Sequence, residues 1–105
     1  MTDSDDLREL ISLTKIGEKI FKIKEMYNPN LIANLSKEAY DLYLKRMSIC
    51  NQLLEQLDKK DITIEKIEDF IGKKVKESKE RLDKAKDETE VKLIQLSIKE
   101  WEDFL

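Results

Sequence analysis

Apolar residues recur at steps of three and four along most of the chain, which is the spacing of one face of an α-helix. The most regular stripe consists of Tyr40, Tyr43, Met47, Cys50, Leu54 and Leu57. A stripe this narrow is typical of the seam along which helices pack side by side. Its neighbours Leu42, Leu44 and Leu53 widen the apolar face. We therefore expect a central helix over residues 36–58, with this seam buried.

A first helix is predicted over residues 5–27. Its apolar stripe consists of Leu10, Leu13, Ile16, Ile20, Ile23 and Tyr27, broadened by Leu7, Ile11 and Phe21. Ser4 can cap its start, or Asp6 can with Glu9 three residues later. The Asn-Pro step that follows ends the helix, because the residue before a proline disfavours the α region. Gly17 beside the stripe is either a tolerated glycine or the close approach of a neighbouring helix.

Residues that can cap a helix precede the next two helices. Residues 31–35 are too apolar for a free loop, so we expect a short helical turn folded under the end of the bundle. Ser36 then caps the central helix. Thr63 marks the start of a third helix over 64–86, and the flanking isoleucines can form a hydrophobic staple. The apolar stripe of this helix consists of Ile67, Ile71, Val75, Leu82 and Ala85.

The third helix becomes very polar beyond its first turns, with opposite charges spaced four residues apart. These pairs are Lys73/Glu77, Lys76/Glu80, Glu77/Arg81, Lys79/Asp83 and Glu80/Lys84. Each such pair stabilises a helix by only a few tenths of a kcal/mol. We expect this helix to be solvated on one side.

The apolar stripe loses phase beyond Ala85. A new stripe consists of Val91, Ile94, Ile98, Trp101 and Leu105. Asp87 with Glu90 can form a capping box, which favours a break and a fourth helix over 88–104. Because neither glycine nor proline lies there, one continuous helix with a projecting tail is the alternative.

Together these patterns predict an all-α fold, an antiparallel three- or four-helix bundle with long helices; a coiled-coil-like dimer is an alternative. The 105 residues suit one core, so 1–105 is expected to be a single helical domain. An apolar fraction of 40% argues against disorder despite 41% charged residues. With two glycines and one proline, the chain has too few breakers for an all-β fold.

Charge and cysteine usage suggest a compartment. The net charge of -3 gives no general attraction to polyanions. Its apolar runs are far shorter than the roughly 20 residues of a membrane span, and the acidic N-terminus is unlike a secretion signal. One cysteine allows no internal disulfide, so we expect a cytoplasmic protein that does not bind membranes. Abundant Lys, Glu and Ile suit a thermophile or an AT-rich genome equally.

Residues for catalysis and cofactor binding are scarce. The chain has no histidine, the commonest general base and metal ligand, and too few glycines for a phosphate-binding loop. Its carboxylate clusters are Asp3/Asp5/Asp6, Asp87/Glu88/Glu90 and Glu100/Glu102/Asp103. Each fits helix-dipole pairing or a solvated face better than a site. Cys50 is expected to be a small buried apolar residue. We therefore predict no enzyme, catalytic residue, cofactor or metal site.

The favoured hypothesis is a non-catalytic interaction module: an adaptor, small regulator, or accessory or chaperone-like subunit. Apolar residues near the C-terminus exceed what one buried face needs, which indicates a surface for a protein partner or a second copy. The candidate binding residues are Leu93, Leu96, Trp101, Phe104 and Leu105. The hairpin with its staple at Ile62-Thr63 is similar in architecture, but not in sequence, to small helical secretion chaperones.

Nucleic-acid binding is the alternative hypothesis. Its candidate phosphate contacts are Lys73, Lys74, Lys76, Lys79 and Arg81. On a helical wheel, Glu77, Glu80 and Asp83 lie among these cations, and no aromatic residue interleaves to stack on bases. A phosphate-binding face should carry one sign of charge, so the mixed stretch fits a solvated helix better.

Overall fold

The computed structural model is all-helical, without a strand in residues 2–105, which confirms the predicted class. It describes the backbone of residues 2–105 and the side chains of residues 7–105. The helices are α1 (Thr2–Met26), α2 (Pro29–Ala33), α3 (Lys37–Leu57), α4 (Ile64–Lys84) and α5 (Glu88–Glu102). The chain divides into two compact units, Met1–Ile67 and Glu68–Leu105. Over the described residues, each helix is too short or too polar to cross a membrane.

Polar side chains cap four of the helix starts. Ser36 Oγ accepts from the N–H of Ala39 at 3.2 Å, and Thr63 Oγ1 accepts from that of Lys66 at 3.1 Å. The Asp87 carboxylate accepts from the N–H of Thr89 at 3.1 Å. These contacts confirm the three predicted caps, each of which typically stabilises a helix by about 1 kcal/mol. The Asp87 cap lies at a break in the helix, between the end of α4 and the start of α5.

The helix bounds near the N-terminus differ from the prediction. α1 begins at Thr2, ahead of the predicted start, and the proposed caps Ser4 and Asp6 have side chains outside the described residues. Asn28, in the short connection after α1, caps the start of α2. Its side-chain oxygen accepts a hydrogen bond from the N–H of Leu31 at 2.8 Å. α2 buries none of its residues, so the expectation that it folds under the bundle is wrong.

Helix α1 packs against α3 in the first unit. The buried apolar residues of this pair are Ile16, Ile20, Ile49, Cys50 and Leu53. Three side-chain contacts join the C-terminal part of α1 to α3. Lys24 Nζ donates to Asn51 Oδ1 at 3.0 Å, and Arg46 donates to the Tyr27 hydroxyl at 2.9 Å. The rings of Tyr27 and Tyr43 lie 5.0 Å apart.

The predicted seam of α3 is largely wrong. Of its six residues Cys50 is buried, whereas Tyr40 and Leu54 are exposed. The remaining three, Tyr43, Met47 and Leu57, are half-buried, and Leu44 is exposed. The buried face is rotated by roughly 80° about the helix axis, at 100° per residue, toward Ile49 and Leu53. The apolar spacing thus predicted the helix correctly, but not which side of it is covered.

The second unit consists of α4 from Glu68 onward, α5 and the bend between them. The buried residues of this unit are Ile71, Val75, Ser78, Ile94, Ser97, Ile98, Glu100, Trp101 and Phe104. Trp101 packs edge-on against Phe70, with ring centroids 5.9 Å apart. The ammonium of Lys74 lies 5.4 Å from the centroid of the same Phe70 ring. Aromatic and cation–π contacts of this kind each contribute on the order of 1 kcal/mol.

The predicted lattice of charge pairs on α4 is not formed. All eight of its side chains are described, and none of the five pairs closes to within salt-bridge distance. Ion pairs instead join Lys66 to Asp61 at 3.0 Å and Lys92 to Glu88 at 3.8 Å. The eight charged side chains of this lattice are therefore solvated individually, and their pairing would have contributed little to stability.

Candidate functional site

The C-terminal residues predicted to bind a partner do not share one exposed surface. Trp101 and Phe104 are buried in the protein, and Leu96 is half-buried. Leu93 and Leu105 are exposed. Phe104, which the helical wheel places off the main stripe, is covered, whereas Leu105 on that stripe is not. Two of the five residues thus contribute to the core, and their substitution would report on stability before it reported on binding.

The basic stretch of α4 carries both signs of charge on its surface. Lys73, Lys76, Lys79 and Arg81 are exposed, and Lys74 is half-buried against Phe70. The acidic residues among them, Glu77, Glu80 and Asp83, are exposed as well. Alternating charges cancel at the distance of a phosphate backbone, so this surface lacks the one-sided field of a nucleic-acid-binding face.

The candidate metal-ligating residues are not clustered in the described part of the chain. In residues 7–105, no group of three or more acidic or cysteine side chains could hold a metal ion, and Asp3, Asp5 and Asp6 fall outside this range. Cys50 is buried in α3. Glu100 was expected on a solvated face, but its side chain is buried. Its carboxylate has an interaction partner within the protein.

A continuous apolar surface lies instead on α1. The sequence places nine apolar residues of this helix in one broad stripe, but the structure divides them between two faces. The inner face carries the buried Ile16 and Ile20. About 140° around the axis, at 100° per residue, lies what we call the outer face. Its members are Leu7, Leu10, Ile11, Thr14 and Phe21, of which the four large apolar side chains are 46–66% exposed.

Gly17 lies at the edge of the outer face, beside Thr14 and Phe21. A Cβ built on Gly17 meets no atom within 4 Å, so of the two interpretations Gly17 is a tolerated glycine and not the close approach of a neighbouring helix. The small residues leave two shallow grooves along the helix. One is lined by Thr14, Gly17 and Phe21 together with Glu18, Lys22 and Glu25, and the other by Leu10, Ile11 and Thr14 together with Lys15 and Glu18. A bulky side chain from outside can therefore settle between the leucines and the phenylalanine.

Contacts at both ends of the inner face fix the rotation of α1 about its axis. At the C-terminal end, Lys24 and Tyr27 bond to α3. At the N-terminal end, the Glu9 carboxylate accepts a hydrogen bond from the backbone N–H of Ile64, the first residue of α4. Glu9 was predicted to complete a capping box on its own helix, and the structure shows it capping another. With both ends held, the outer face is kept turned to solvent.

The excess apolar width of α1 is the sequence signal that could have identified this surface. One neighbouring helix covers a stripe of about 100°, and the apolar residues of α1 span more than this. Leu7, Ile11 and Phe21 were predicted to widen the buried stripe, and the exposed apolar surface was predicted at the C-terminus.

Neither a protein-family model, nor a curated protein sequence, nor a solved structure matches the chain.

Proposed function

We propose that the protein is a non-catalytic helical interaction module that binds a protein partner through the outer face of α1. The observation that supports this is four large apolar side chains exposed together on one helix face. Single exposed leucines are ordinary on soluble proteins, but a contiguous row marks a binding surface. The row from Leu7 to Phe21 extends about 21 Å, at about 1.5 Å per residue, which matches the contact length of another helix.

The flanking charges give this surface a polar rim. Arg8, Lys15 and Lys22 recur every seven residues along one edge, and Glu18 and Glu25 lie on the side of the outer face nearest that edge. An apolar centre surrounded by exposed charge is the usual organisation of a protein interface. A partner helix with apolar residues at three- and four-residue steps fits this rim and centre.

The contacts of the first unit also support the expected antiparallel packing of α1 and α3. Lys24 bonds to Asn51, while Tyr27, just past the end of α1, meets Tyr43, which lies earlier in α3. Advancing along one helix therefore means going back along the other. This packing turns the inner face of α1 toward α3 and leaves the outer face to a partner.

The mixed charge of α4 favours a protein partner over nucleic acid. A basic surface that bound phosphates through Lys73, Lys76 and Lys79 would have to do so beside Glu77 and Glu80. Phosphates bound there would also be repelled by these two carboxylates.

Affinity capture from the source cell tests this function. Tagged wild-type protein is compared with a Leu10→Ser/Phe21→Ser double variant, after circular dichroism has shown that both are folded. A Met26→Ser/Leu44→Ser variant is the matched control, because both side chains are exposed but lie off the outer face. We expect the control to retain the wild-type partners and the Leu10/Phe21 variant to lose them. Identical partners in all three samples would contradict the proposal.

A further inference from the structure

We propose that the outer face of α1 binds a second copy of this chain, with the two α1 helices crossing antiparallel about a twofold axis at Thr14. This proposal rests on the proposed function of the outer face and names its occupant. In such an isologous contact, residue i of one copy meets residue j of the other, and j meets i in return. The outer face must therefore be complementary to itself when it is reversed about one point.

The sizes of the side chains meet this condition at Thr14. Residues whose numbers sum to 28 then lie at the same level along the pair, and the same edges of the two helices face each other. Leu7 meets Phe21 of the second copy near the middle of the contact, which pairs the two exposed ends of the row. Leu10 lies over Gly17 of the second copy, so a large side chain covers the position where a Cβ has no neighbour within 4 Å. Thr14 meets itself on the axis, where a small side chain allows close helix packing.

The charges along the edge fit the same arrangement. In an antiparallel pair, an edge of one helix faces the same edge of its partner. Glu18 of each copy then falls between Arg8 and Lys15 of the other, and symmetry forms this contact twice. All three side chains are exposed in the single chain and are available for such pairing. Opposite charges at the rim select the register and the direction of the contact.

A parallel pairing of the same faces lacks these advantages. In a parallel pair, the edge that carries Arg8, Lys15 and Glu18 faces the opposite edge of the partner helix, so the contacts between these charges are lost. Leu10 of one copy also no longer lies over Gly17 of the other, which leaves that groove unfilled. The antiparallel arrangement is therefore the one that the outer face favours.

We expect the association to be weak. One helix pair about 21 Å long covers less than the roughly 800 Å² per partner that a standard stable interface buries. The dissociation constant should therefore be in the micromolar range or above, on the order of 10–100 µM. Self-association then depends on the local concentration of the chain.

Disulfide trapping of purified protein tests the twofold axis. Thr14→Cys places two thiols on that axis, whereas Lys19→Cys places them well away from the outer face. The wild-type chain, whose single Cys50 is buried, sets the background under the same mild oxidant. We expect Thr14→Cys to form dimers at least tenfold faster than Lys19→Cys, and an added Phe21→Ser to remove the difference. Equal rates for the two cysteine variants would overturn the proposal.

Sedimentation equilibrium gives a second test that needs no new cysteine. Wild-type protein should show a dimer between 10 and 500 µM, within the range expected for so short an interface. Gly17→Leu fills the groove that Leu10 of the second copy occupies, and the single chain has room for the new side chain. We expect this variant to stay folded and monomeric. A wild-type monomer at every concentration, or a Gly17→Leu dimer of unchanged affinity, would contradict the proposal.

These two tests are independent of the cellular capture experiment. If the purified chain does not self-associate but the Leu10→Ser/Phe21→Ser variant still loses its cellular partners, the outer face binds a different protein and the second copy is the wrong occupant. If the partners are unchanged, the proposed function itself has failed.

Discussion

Glu9 and Ile64 connect parts of the chain that are 55 residues apart: the carboxylate of Glu9 in α1 accepts the backbone N–H of Ile64 at the start of α4. The first N–H groups of a helix have no partner within that helix, and the positive end of the helix dipole favours a negative acceptor. One side chain therefore stabilises α4 and also fixes how α1 is rotated.

Removing this acceptor should destabilise the protein measurably. We expect Glu9→Ala to lower the free energy of unfolding by about 1–2 kcal/mol, the usual cost of losing a helix cap. Glu9→Gln, which keeps an oxygen acceptor without the charge, should lose less. Urea denaturation monitored by circular dichroism measures both. Glu18→Ala serves as the control, since Glu18 is an exposed carboxylate on the same helix; an equal loss in Glu18→Ala would contradict the cap.

The core position of α3 can be tested with two adjacent leucines. Leu53 is 0% exposed and Leu54 is 39% exposed. Truncating a buried leucine to alanine typically costs about 2–5 kcal/mol, and a partly exposed one much less. We therefore expect Leu53→Ala to fall in that range and Leu54→Ala to cost about 1 kcal/mol or less. If denaturation showed Leu54→Ala to be the more damaging change, the seam predicted from the sequence would be the true core face.

Gly17→Ala should stabilise the protein. Gly17 lies within α1 with no positive φ, and its missing Cβ has no neighbour to displace. Alanine in a helix interior is favoured over glycine by roughly 0.5–1 kcal/mol. Gly72→Ala in α4 is a parallel case, with the same open space around it. Thermal unfolding at low micromolar concentration should show a gain in both variants. A loss confined to Gly17→Ala would indicate a helix packed against that position.

Asp61 should titrate at lower pH than an ordinary aspartate. The Lys66 ammonium donates to its carboxylate at 3.0 Å and holds the pKa of Asp61 below its usual value, with help from backbone hydrogen bonding. Because the folded pKa is the lower one, this contact stabilises the fold above the unfolded pKa, and the stabilisation is lost as the pH falls through the folded pKa. Both groups are exposed, so the effect is small and weakens with salt.

An NMR titration of the Asp61 carboxyl measures this shift. In Lys66→Met, which removes the ammonium but keeps a long side chain, the midpoint should move back up toward that of an ordinary aspartate. Identical midpoints in the two proteins would show that Lys66 is not the cause.

Local signals in the sequence predicted the local structure well. Ser36, Thr63 and Asp87 act within three residues of their own positions, so their caps follow from the sequence alone. The break before α5 follows from the same kind of signal, a capping residue beside a change of apolar phase.

The coverage of each helix face depends on contacts that a local pattern does not contain. In α3 two apolar arcs overlap, and only the position of its neighbours decides that Leu53 is covered and Leu54 is not. In α1 the excess width of the apolar stripe was visible in the sequence. Which side of the helix stays exposed, however, depends on the hydrogen bond between Glu9 and Ile64. Trp101 near the C-terminus is covered for the same reason, because it packs edge-on against Phe70 from another helix.

The most direct test of the central claim, that the outer face of α1 is a binding surface, is site-specific photo-crosslinking in cells. A benzophenone amino acid is placed at Phe21 on the outer face and, in a second variant, at Met26, which is exposed on the same helix but off that face. We predict covalent protein adducts from position 21, to a second copy or to another protein, and none above background from position 26. Equal yields at the two positions, or no adduct at position 21, would contradict the account.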